Sequence, residues 1–531
     1  MRSRRHGALP GWMALVAALV VASTACGSNL PHGVQQAVQS ASPGVGGSGL
    51  SSPLPAGGKV TKAGKIVNKH GKVIGTVGGG ITGSGTTGGG TTGGGTTGGG
   101  TTGGTTGGGT TGGGTTGVGA NGPGVTASTL AIGVITDKNA DKCNAALGAA
   151  GASSVDPKQT TQALLDEINK QGGILGRKVV AHYHPIDCTS QQTVEQQGQE
   201  VCADWTKDHP VFATGSDFGP DFESCMEKAG SVIEGGGAFS SDDRRVYKQH
   251  PYVIDPVSLD ANTQAIVTVD GLYKEHYFTS GYKLGLVTVD CPSYHYAVDK
   301  SFMPELGKYN LKLTDSAYLT CSHTLQDDST MARDAASAVL KFEGEGIDHV
   351  IVLDNGGGLP TFLFMNAAER QDYHPRYGLN SQSGNTVLAE QFDPSTAQDQ
   401  FKNALSVGWI PKADVSTADQ PKNAGAERCL ALMRRHNVQM SSSNAEGQAL
   451  QDCETLWFLQ AQLQVSGSQI INQPTLLQGV ARIGFRYHSV LTFASHVTAT
   501  RHDGAGKVAD LKFDGSCTCF HYITNPYPVP G

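Results

Sequence analysis

The stretch DEINKQGGILGRKVV, residues 166–180, decides the fold, because a helix end, a stop and a strand start follow one another within it. Leu164 and Ile168 are separated by about one helical turn, as in a helix that packs on a sheet. Gly172 and Gly173 supply the positive φ angles that end such a helix, and the valines that follow open a strand. A helix that runs directly into a strand predicts a βαβ unit and therefore a parallel sheet.

The same alternation continues on both sides of this stretch. In the first half, strands are predicted at 130–136, 178–185, 211–214 and ending at 238–239, with helices at 157–171, 191–207 and 261–277. The pattern restarts with strands at 283–290, 312–320, 349–354 and 377–381 and helices at 327–343 and 359–371. Long helices at 424–436, 445–464 and 474–483 precede a closing hairpin at 497–513, with its turn at Asp503 and Gly504. The sequence predicts an α/β protein of two doubly wound Rossmann-like lobes.

Residues 1–26 are typical of an export signal for a bacterial lipoprotein. A basic start precedes an apolar run at 12–22, which is too short to span a bilayer as a mature helix. The run is followed by STAC at 23–26, which resembles a lipobox and makes Cys26 the expected lipid anchor. The alternatives are an ordinary cleaved signal with a chance cysteine, and either the general or the twin-arginine export route.

Residues 27–124 form a predicted disordered tether. Residues 86–117 repeat Thr-Thr-Gly-Gly-Gly, which offers no side chain large enough to bury. About a hundred residues of such coil reach roughly 50–60 Å, enough to hold a globular part clear of a membrane. Five lysines between 59 and 72 form a basic cluster, either solvated or in contact with anionic lipid or cell wall.

Composition and motifs exclude several functions. The net charge is −7 over 531 residues, so nothing favours nucleic acid as a partner. The serine of Gly215-Ser216-Asp217-Phe218-Gly219 is out of register for a nucleophile elbow, and the part from 125 onward has no phosphate-binding loop. The sequence therefore predicts a binding protein that needs no cofactor, and not an enzyme.

With both lobes laid out, the chain resembles the type I periplasmic binding-protein family, and in particular the branched-chain amino-acid (Leu/Ile/Val) solute-binding lipoproteins of ABC importers. The resemblance rests on TLAIGVITD at 129–137, LDEINKQGGILGRKVV at 165–180, and the segments 212–216 and 346–354. It implies two lobes that close like a hinge on a small polar or amino-acid-like solute.

The resemblance also implies a domain plan. Its parts are a first lobe at 125–278 completed by about 411–495, and a second lobe at 279–410 completed by about 496–531. The expected partners are a small-molecule solute and an ABC permease, and the expected state is a monomer held by its lipid at the outer face of the cell membrane. The alternative is a ligand-sensing or envelope interaction lipoprotein of the same fold without a transport role.

The chain departs from the family in one place that bears on the ligand. Amino-acid binders of the family typically offer a carboxylate to the ligand ammonium near 379–383. This chain has Asn380, Ser381 and Gln382 there and no carboxylate. An apolar or aromatic acid is therefore a further candidate ligand.

In open α/β sheets, ligands bind beyond the carboxyl ends of the strands. That rule, and the family's ligand loops, select Ser216, Asp217, Phe218, Ser240 and Ser241 from the first lobe and Tyr294, Tyr296, Asp354 and Asn355 from the second. The alternatives are a helix N-cap for Ser216, exposed loop aromatics for the tyrosines, and solvated carboxylates for Asp217 and Asp354.

Ten cysteines follow Cys26, an even number that indicates disulfides in an exported chain. The sequence does not fix their pairing, but the topology suggests Cys143 with Cys188, Cys291 with Cys321, and Cys429 with Cys453. The resemblance adds Cys202 with Cys225, since family members often carry that bridge. A direct bridge between Cys517 and Cys519 would be strained, so they are expected to pair elsewhere.

Two groups of residues have the ligand types of a zinc site. They are His182, His184 and Cys188, and Cys517, Cys519 and His521. Neither spacing matches a known closed set, so disulfides and surface histidines are the favoured interpretation and no metal is expected.

Overall fold

The computed structural model describes residues 120–139, 155–187, 190, 192–235, 242–355 and 357–530, together with three short strands near the N-terminus. The signal with Cys26, the repeat at 86–117, Cys143, Cys188, Ser240 and Ser241 lie outside the described residues. Among the helices that are described, none combines the length and the apolar character that a membrane span requires.

The N-terminal strands are β1 Lys59–Val60, β2 Lys65–Val67 and β3 Val73–Thr76, paired antiparallel in the order β1-β2-β3. They belong to a separate unit of residues 43–115. The sequence predicts coil here, whereas the β-branched residues of these strands suit a pleated strand.

The first lobe is built on a five-stranded parallel sheet in the order β5-β4-β6-β7-β8. Its strands are β4 Thr129–Asp137, β5 Lys178–Ile186, β6 Ala213–Thr214, β7 Val232–Glu234 and β8 Val253–Ile254. Its helices are α1 Pro157–Lys170, α2 Val194–Ala203, α3 Pro220–Ala229 and α4 Arg244–Gln249. The predicted end of the fourth strand at 238–239 lies outside the described residues, and the described run that pairs with β6 is Val232–Glu234.

The stretch at 166–180 folds as expected. Gly172 and Gly173 have φ angles of 97° and 75° after α1. The side chain of Asn169 then joins helix to strand, because its amide donates to Val179 O at 2.9 Å and its oxygen accepts from Val179 N at 2.7 Å. The predicted crossover between two parallel strands is confirmed.

The second lobe is built on a mixed eight-stranded sheet in the order β10-β9-β11-β12-β13-β14-β15, with β16 beside β14. Its strands are β9 Leu284–Val289, β10 Leu313–Leu319, β11 His349–Val352, β12 Arg376–Asn380, β13 Leu405–Gly408, β14 Lys507–Asp514, β15 Cys519–Tyr522 and β16 Tyr527–Pro528. Its helices are α5 Ala261–Lys274, α6 Pro292–Ala297, α7 Met303–Lys308, α8 Leu325–Glu345, α9 Leu359–Arg370, α10 Asn385–Gln391, α11 Pro394–Gln400 and α12 Pro411–Asp414. The predicted doubly wound α/β architecture with two lobes is confirmed.

The C-terminal helices α13 Ala424–Arg435, α14 Ser443–Ser466 and α15 Gln473–Ile483 pack on the first lobe. Leu164 and Ile168 of α1 share a hydrophobic core with Phe458 and Val480 of these helices. The chain therefore passes between the lobes three times, after β8, after β13 and before β14. The N-terminal side of the lobe contacts the connection between α14 and α15, since Gly122 N donates to Ile471 O at 2.7 Å.

The predicted hairpin at 497–513 is wrong in the place of its turn. His496 N donates to Gly504 O at 2.6 Å and Thr498 N donates to Arg501 O at 2.7 Å, so the chain turns at 498–501 and not at Asp503 and Gly504. A further hairpin joins β14 to β15, with its turn at 515–518. Gly504 instead packs on the first crossing, where its N donates to Ser258 O at 2.8 Å. A Cβ at Gly504 would overlap the backbone of Asp255 and Pro256, so this glycine serves a close approach and not a turn.

Four disulfides join described cysteines. Cys202 with Cys225, Cys291 with Cys321 and Cys429 with Cys453 are paired as predicted. The prediction for Cys517 and Cys519 is wrong, because they are bonded to each other. Thr518 between them has a φ of 55°, and this turn brings their Cα atoms to 5.2 Å.

Candidate ligand-binding site

The first lobe presents Ser216 and Asp217 directly after β6, at the carboxyl edge of its sheet. Ser216 is buried and its N donates to Thr214 Oγ1 at 3.1 Å. Asp217 Oδ1 accepts from Gly219 N at 2.9 Å. The residue that caps α3 is Gly219, so Ser216 is not the N-cap of this helix.

Phe218 lies in the core of the first lobe. Its side chain is 3% exposed and its ring meets the ring of Phe222 edge-on, with centroids 5.1 Å apart. This position stabilises α3 against the sheet and leaves the ring no free face for a ligand.

Tyr294 and Asp354 come together in the second lobe, as their places after β9 and β11 predict. Tyr294 lies on α6 and not in a loop, and its buried hydroxyl donates to Asp354 O at 2.7 Å. Burial raises the pKa of Tyr294 well above its ordinary value. The Asp354 carboxylate accepts from Thr361 Oγ1 at 2.7 Å, so it fixes the start of α9. Asn355 is partly buried beside it.

Tyr296 is half-buried and faces the first lobe. The guanidinium of Arg245 lies 3.9 Å from its ring centroid, and Arg245 Nη2 donates to Pro292 O at 3.3 Å. Arg245 is held in turn by the buried carboxylate of Asp243, at 2.7 Å from Nη2 to Oδ2, and this hydrogen bond raises the pKa of Arg245. We call these four residues the Arg245 clasp, because they join the two lobes.

A second contact joins the lobes at the start of α2. Val194 N donates to His323 O at 3.2 Å, and His323 Nδ1 lies 2.5 Å from Glu195 Oε1. Burial alone would raise the pKa of Glu195, but hydrogen bonds from its own backbone, Thr193 and His323 bring that pKa below its ordinary value. We call Val194, Glu195 and His323 the His323 clasp.

A buried polar segment lies at the position where the family's amino-acid binders offer a carboxylate. Residues 381–386 follow β12, and Ser381, Gln382, Ser383 and Asn385 are fully buried. Neither Gln382 Oε1, Gln382 Nε2 nor Ser383 Oγ has a hydrogen-bond partner within the protein. Buried polar groups are normally paired, so these groups are suited to pair with a ligand.

The polar segment is held in place by its neighbours. Ser381 Oγ donates to Asp414 Oδ1 at 2.8 Å and accepts from Trp409 N at 2.7 Å. Burial raises the pKa of Asp414 to about 7. The sequence signal for this segment is the run NSQSGNT, small polar residues directly after a buried strand.

The two candidate zinc groups differ in the structure. His184 Nδ1 lies 2.7 Å from Asp204 Oδ2, which explains this histidine as a hydrogen-bond partner of Asp204, and Cys188 lies outside the described residues. Cys517 Sγ and Cys519 Sγ each lie 3.2 Å from His521 Nε2, but they form a disulfide. A sulfur in a disulfide is not the thiolate that zinc binds.

No protein-family model matches this chain, and no curated protein matches it. Several solved structures match it, and three of them show the range of proteins that share its fold. A solute-binding protein of an ABC transporter from R. palustris in complex with 4-hydroxybenzoate has a TM-score of 0.54 at 12% identity, covering 76% of this chain and 98% of that chain. A branched-chain amino-acid ABC transporter protein from Thermus thermophilus with bound valine has a TM-score of 0.51 at 15% identity, covering 76% and 96%. A fatty-acid ABC transporter substrate-binding protein from Thermomonospora curvata has a TM-score of 0.51 at 15% identity, covering 77% and 97%.

The class of fold follows from these matches and from the two described lobes. It is the fold of the type I periplasmic binding proteins, as the resemblance in the sequence predicts. At these identities the matches show the fold and do not identify the ligand. The ligand has to be inferred from the residues of the site.

Proposed function

We propose that this protein is an extracytoplasmic solute-binding lipoprotein of an ABC importer, which captures a small polar solute between its lobes. The observation that carries the proposal is the polar segment after β12, where Gln382 has both amide groups buried and without a partner in the protein. The Arg245 and His323 clasps support it, because contacts between lobes stabilise a closed form around a solute.

The chemistry of the polar segment favours a solute that carries a carboxylate, hydroxyl or amide. Gln382 Nε2 can donate to a carboxylate, and Gln382 Oε1 can accept from a hydroxyl or an amide. The segment has no carboxylate to balance an ammonium. Amino acids therefore remain candidates only if a carboxylate outside this segment binds their ammonium, and hydroxylated or aromatic acids need no such group. Ser216 and Asn355 are the further ligand contacts that we propose.

The proposal places the protein outside the cell, on a lipid at Cys26 and beside a permease. It is supported by the basic and apolar start, the STAC sequence and the Gly/Thr-rich repeat at 86–117. The mass of the mature chain extracted from membranes tests the anchor. A mass without diacylglycerol on Cys26 would contradict it.

The binding role is tested by a thermal-shift screen of amino acids, amides, hydroxylated and aromatic acids, fatty acids and sugars. A solute at a hundredfold its Kd stabilises a protein by about 2.7 kcal/mol, which shifts Tm measurably. For the best solute we expect Gln382→Ala to weaken binding at least tenfold in calorimetry while Tm without solute changes little, because the amide has no partner to lose.

Gln398→Ala is the matched control, since Gln398 is exposed and bonds to the turn between β14 and β15. We expect it to bind like the wild type. Equal affinity in Gln382→Ala and the wild type would contradict the placement of the site. No stabilising solute in any class would contradict the binding role.

A further inference from the structure

Three carboxylates converge at the carboxyl edge of the first sheet, and we call Asp217, Glu223 and Asp242 the acidic site. One carboxylate oxygen of each residue lies within 4.8 Å of the others. Asp217 follows β6, Glu223 lies on the buried face of α3, and Asp242 precedes α4. The sheet order places these elements side by side, although 25 positions separate the first residue from the last.

Glu223 is the part of this cluster that the protein itself leaves unsatisfied. Its side chain is fully buried, and neither of its oxygens receives a hydrogen bond. A histidine lies beside it: His250 Nε2 is 3.5 Å from Glu223 Oε2, and His250 Nδ1 is 3.0 Å from Glu227 Oε2. One shared histidine does not balance three carboxylates, and a buried charge without a partner is costly.

Without a cation, these groups retain protons. Burial, and then the charges of Asp217 and Asp242, raise the pKa of Glu223 to about 12. Burial also raises the pKa of Asp217 and of Asp242. A bound cation reverses this, because it favours the charged form of every carboxylate that faces it.

The geometry and the donor type fit a hard divalent ion. Oxygen ligands lie about 2.3–2.6 Å from Ca²⁺, so two ligands on opposite sides of the ion are up to about 5 Å apart, which matches the acidic site. An all-oxygen set favours Ca²⁺, Mg²⁺ or Mn²⁺ over thiophilic metals. Ca²⁺ tolerates irregular and bidentate carboxylate geometry, whereas Mg²⁺ demands a near-ideal octahedron.

We propose that the acidic site binds one Ca²⁺ ion, with Asp217, Glu223 and Asp242 as ligands. The ion ties the end of β6 to the starts of α3 and α4, next to Ser216 and close in sequence to Arg245 of the lobe clasp. The proposal rests on the first lobe alone and does not depend on the proposed transport role.

The test uses the full-length protein stripped with a chelator and then titrated with CaCl₂, MgCl₂ or MnCl₂, followed by thermal unfolding and calorimetry. We expect saturating Ca²⁺ to raise the wild-type Tm by at least about 3 °C with one site per chain. Glu223→Gln keeps the size of the side chain but removes a ligand charge, so we expect binding at least tenfold weaker and no rise in Tm. Glu234→Gln is the matched control, because Glu234 is a fully buried carboxylate of the neighbouring strand, bound by Gln462, and we expect it to respond like the wild type.

Absence of a Tm rise or of heat with all three ions would overturn the proposal. An equal response in Glu223→Gln and the wild type would also overturn it, since the ion would then bind elsewhere. Arginine and putrescine form a further arm, and a response to these amines but not to metal ions would assign the site to an organic cation instead. If Glu223→Gln does not fold, Asp217→Asn is measured with the same expectations.

Discussion

At the scale of the residue, the burial of a side chain decides its role. Burial cannot be predicted from the neighbouring residues in the sequence. The sequence places Phe218 and Tyr294 after strands, which is correct, but the structure buries them to 3% and 1% exposure. The hydrogen-bond partners of the Tyr294 hydroxyl are Gln264 and Asp354, which lie 30 and 60 positions away in the chain. Gln382 shows the converse, because its buried and unpartnered amide becomes visible only when the surrounding elements are in place.

Burial also makes the stability that a single carboxylate contributes depend on pH, and Glu454 on α14 is the clearest example. Its Oε2 accepts from Ser489 Oγ at 2.8 Å and Val490 N at 2.6 Å, while its buried Oε1 has no partner. Burial raises its pKa from the usual 4.5 to about 7. The folded state therefore holds the proton more tightly than the unfolded state, so the stability contributed here is present below pH 4.5 and is lost as pH rises to about 7.

We expect Glu454→Gln to remove this loss. The glutamine oxygen can accept both hydrogen bonds, and its amide occupies the place of the unpartnered oxygen. Relative to the wild type, the free energy of unfolding should be about 3 kcal/mol higher at pH 8 and little changed at pH 4.5, measured by urea denaturation.

Glu427→Gln, at an exposed position of α13, is the control and should show no such difference between the two pH values. A Glu454→Gln variant whose unfolding free energy stays parallel to the wild type from pH 4.5 to 8 would contradict the assignment.

At the scale of the element, the sequence predicts best where the determinants are neighbours in the chain. The passage from α1 to β5 depends on Gly172, Gly173 and the alternating apolar residues around them, and it folds as predicted. The turn predicted at Asp503 and Gly504 is wrong because this pair is turn-like only in its sequence, whereas Gly504 is fixed by the distant backbone of Asp255 and Pro256. Short strands such as β6 and β8 are equally hard to delimit, since their two residues pair through partners elsewhere in the sheet.

The joint between α1 and β5 gives a prediction at this scale. Asn169→Ala removes both hydrogen bonds to the backbone of Val179, at the edge strand of the first sheet. We expect the free energy of unfolding to fall by about 1–3 kcal/mol, because two backbone groups lose their side-chain partner.

Gln162→Ala serves as the control, since Gln162 lies on the exposed face of the same helix. Urea denaturation of the two variants measures the difference. If Asn169→Ala is no less stable than Gln162→Ala, the side chain does not hold the joint together.

At the scale of the whole molecule, the two-lobe plan was predictable because the strand and helix alternation restarts near residue 283. Contacts between the lobes were not predictable, since they pair loops and helix starts from different sheets. Both clasps are of this kind: Arg245 reaches Tyr296 and Pro292 across 47–51 positions, and Glu195 reaches His323 across 128.

The Arg245 clasp offers a test of how the molecule closes. Tyr296→Ala removes the ring on which the guanidinium stacks but leaves the pair of Arg245 and Asp243 intact, so no buried charge loses its partner. A stacked cation at a partly exposed site contributes about 0.5–1 kcal/mol. We therefore expect the closed form to lose two- to fivefold in population, the radius of gyration without solute in X-ray scattering to rise, and solute affinity to fall by the same two- to fivefold factor.

The control is Tyr273→Ala on α5, which removes an exposed ring that stacks on Tyr309 away from the clasps. It should leave both the radius of gyration and the affinity unchanged. A loss of affinity in Tyr296→Ala that far exceeds fivefold, with no change in scattering, would mean that the ring touches the solute directly, as its place after β9 first suggested. An unchanged radius of gyration together with unchanged affinity would instead mean that the clasp does not stabilise the closed form. A contact that stabilises one of two forms must shift their populations when it is removed.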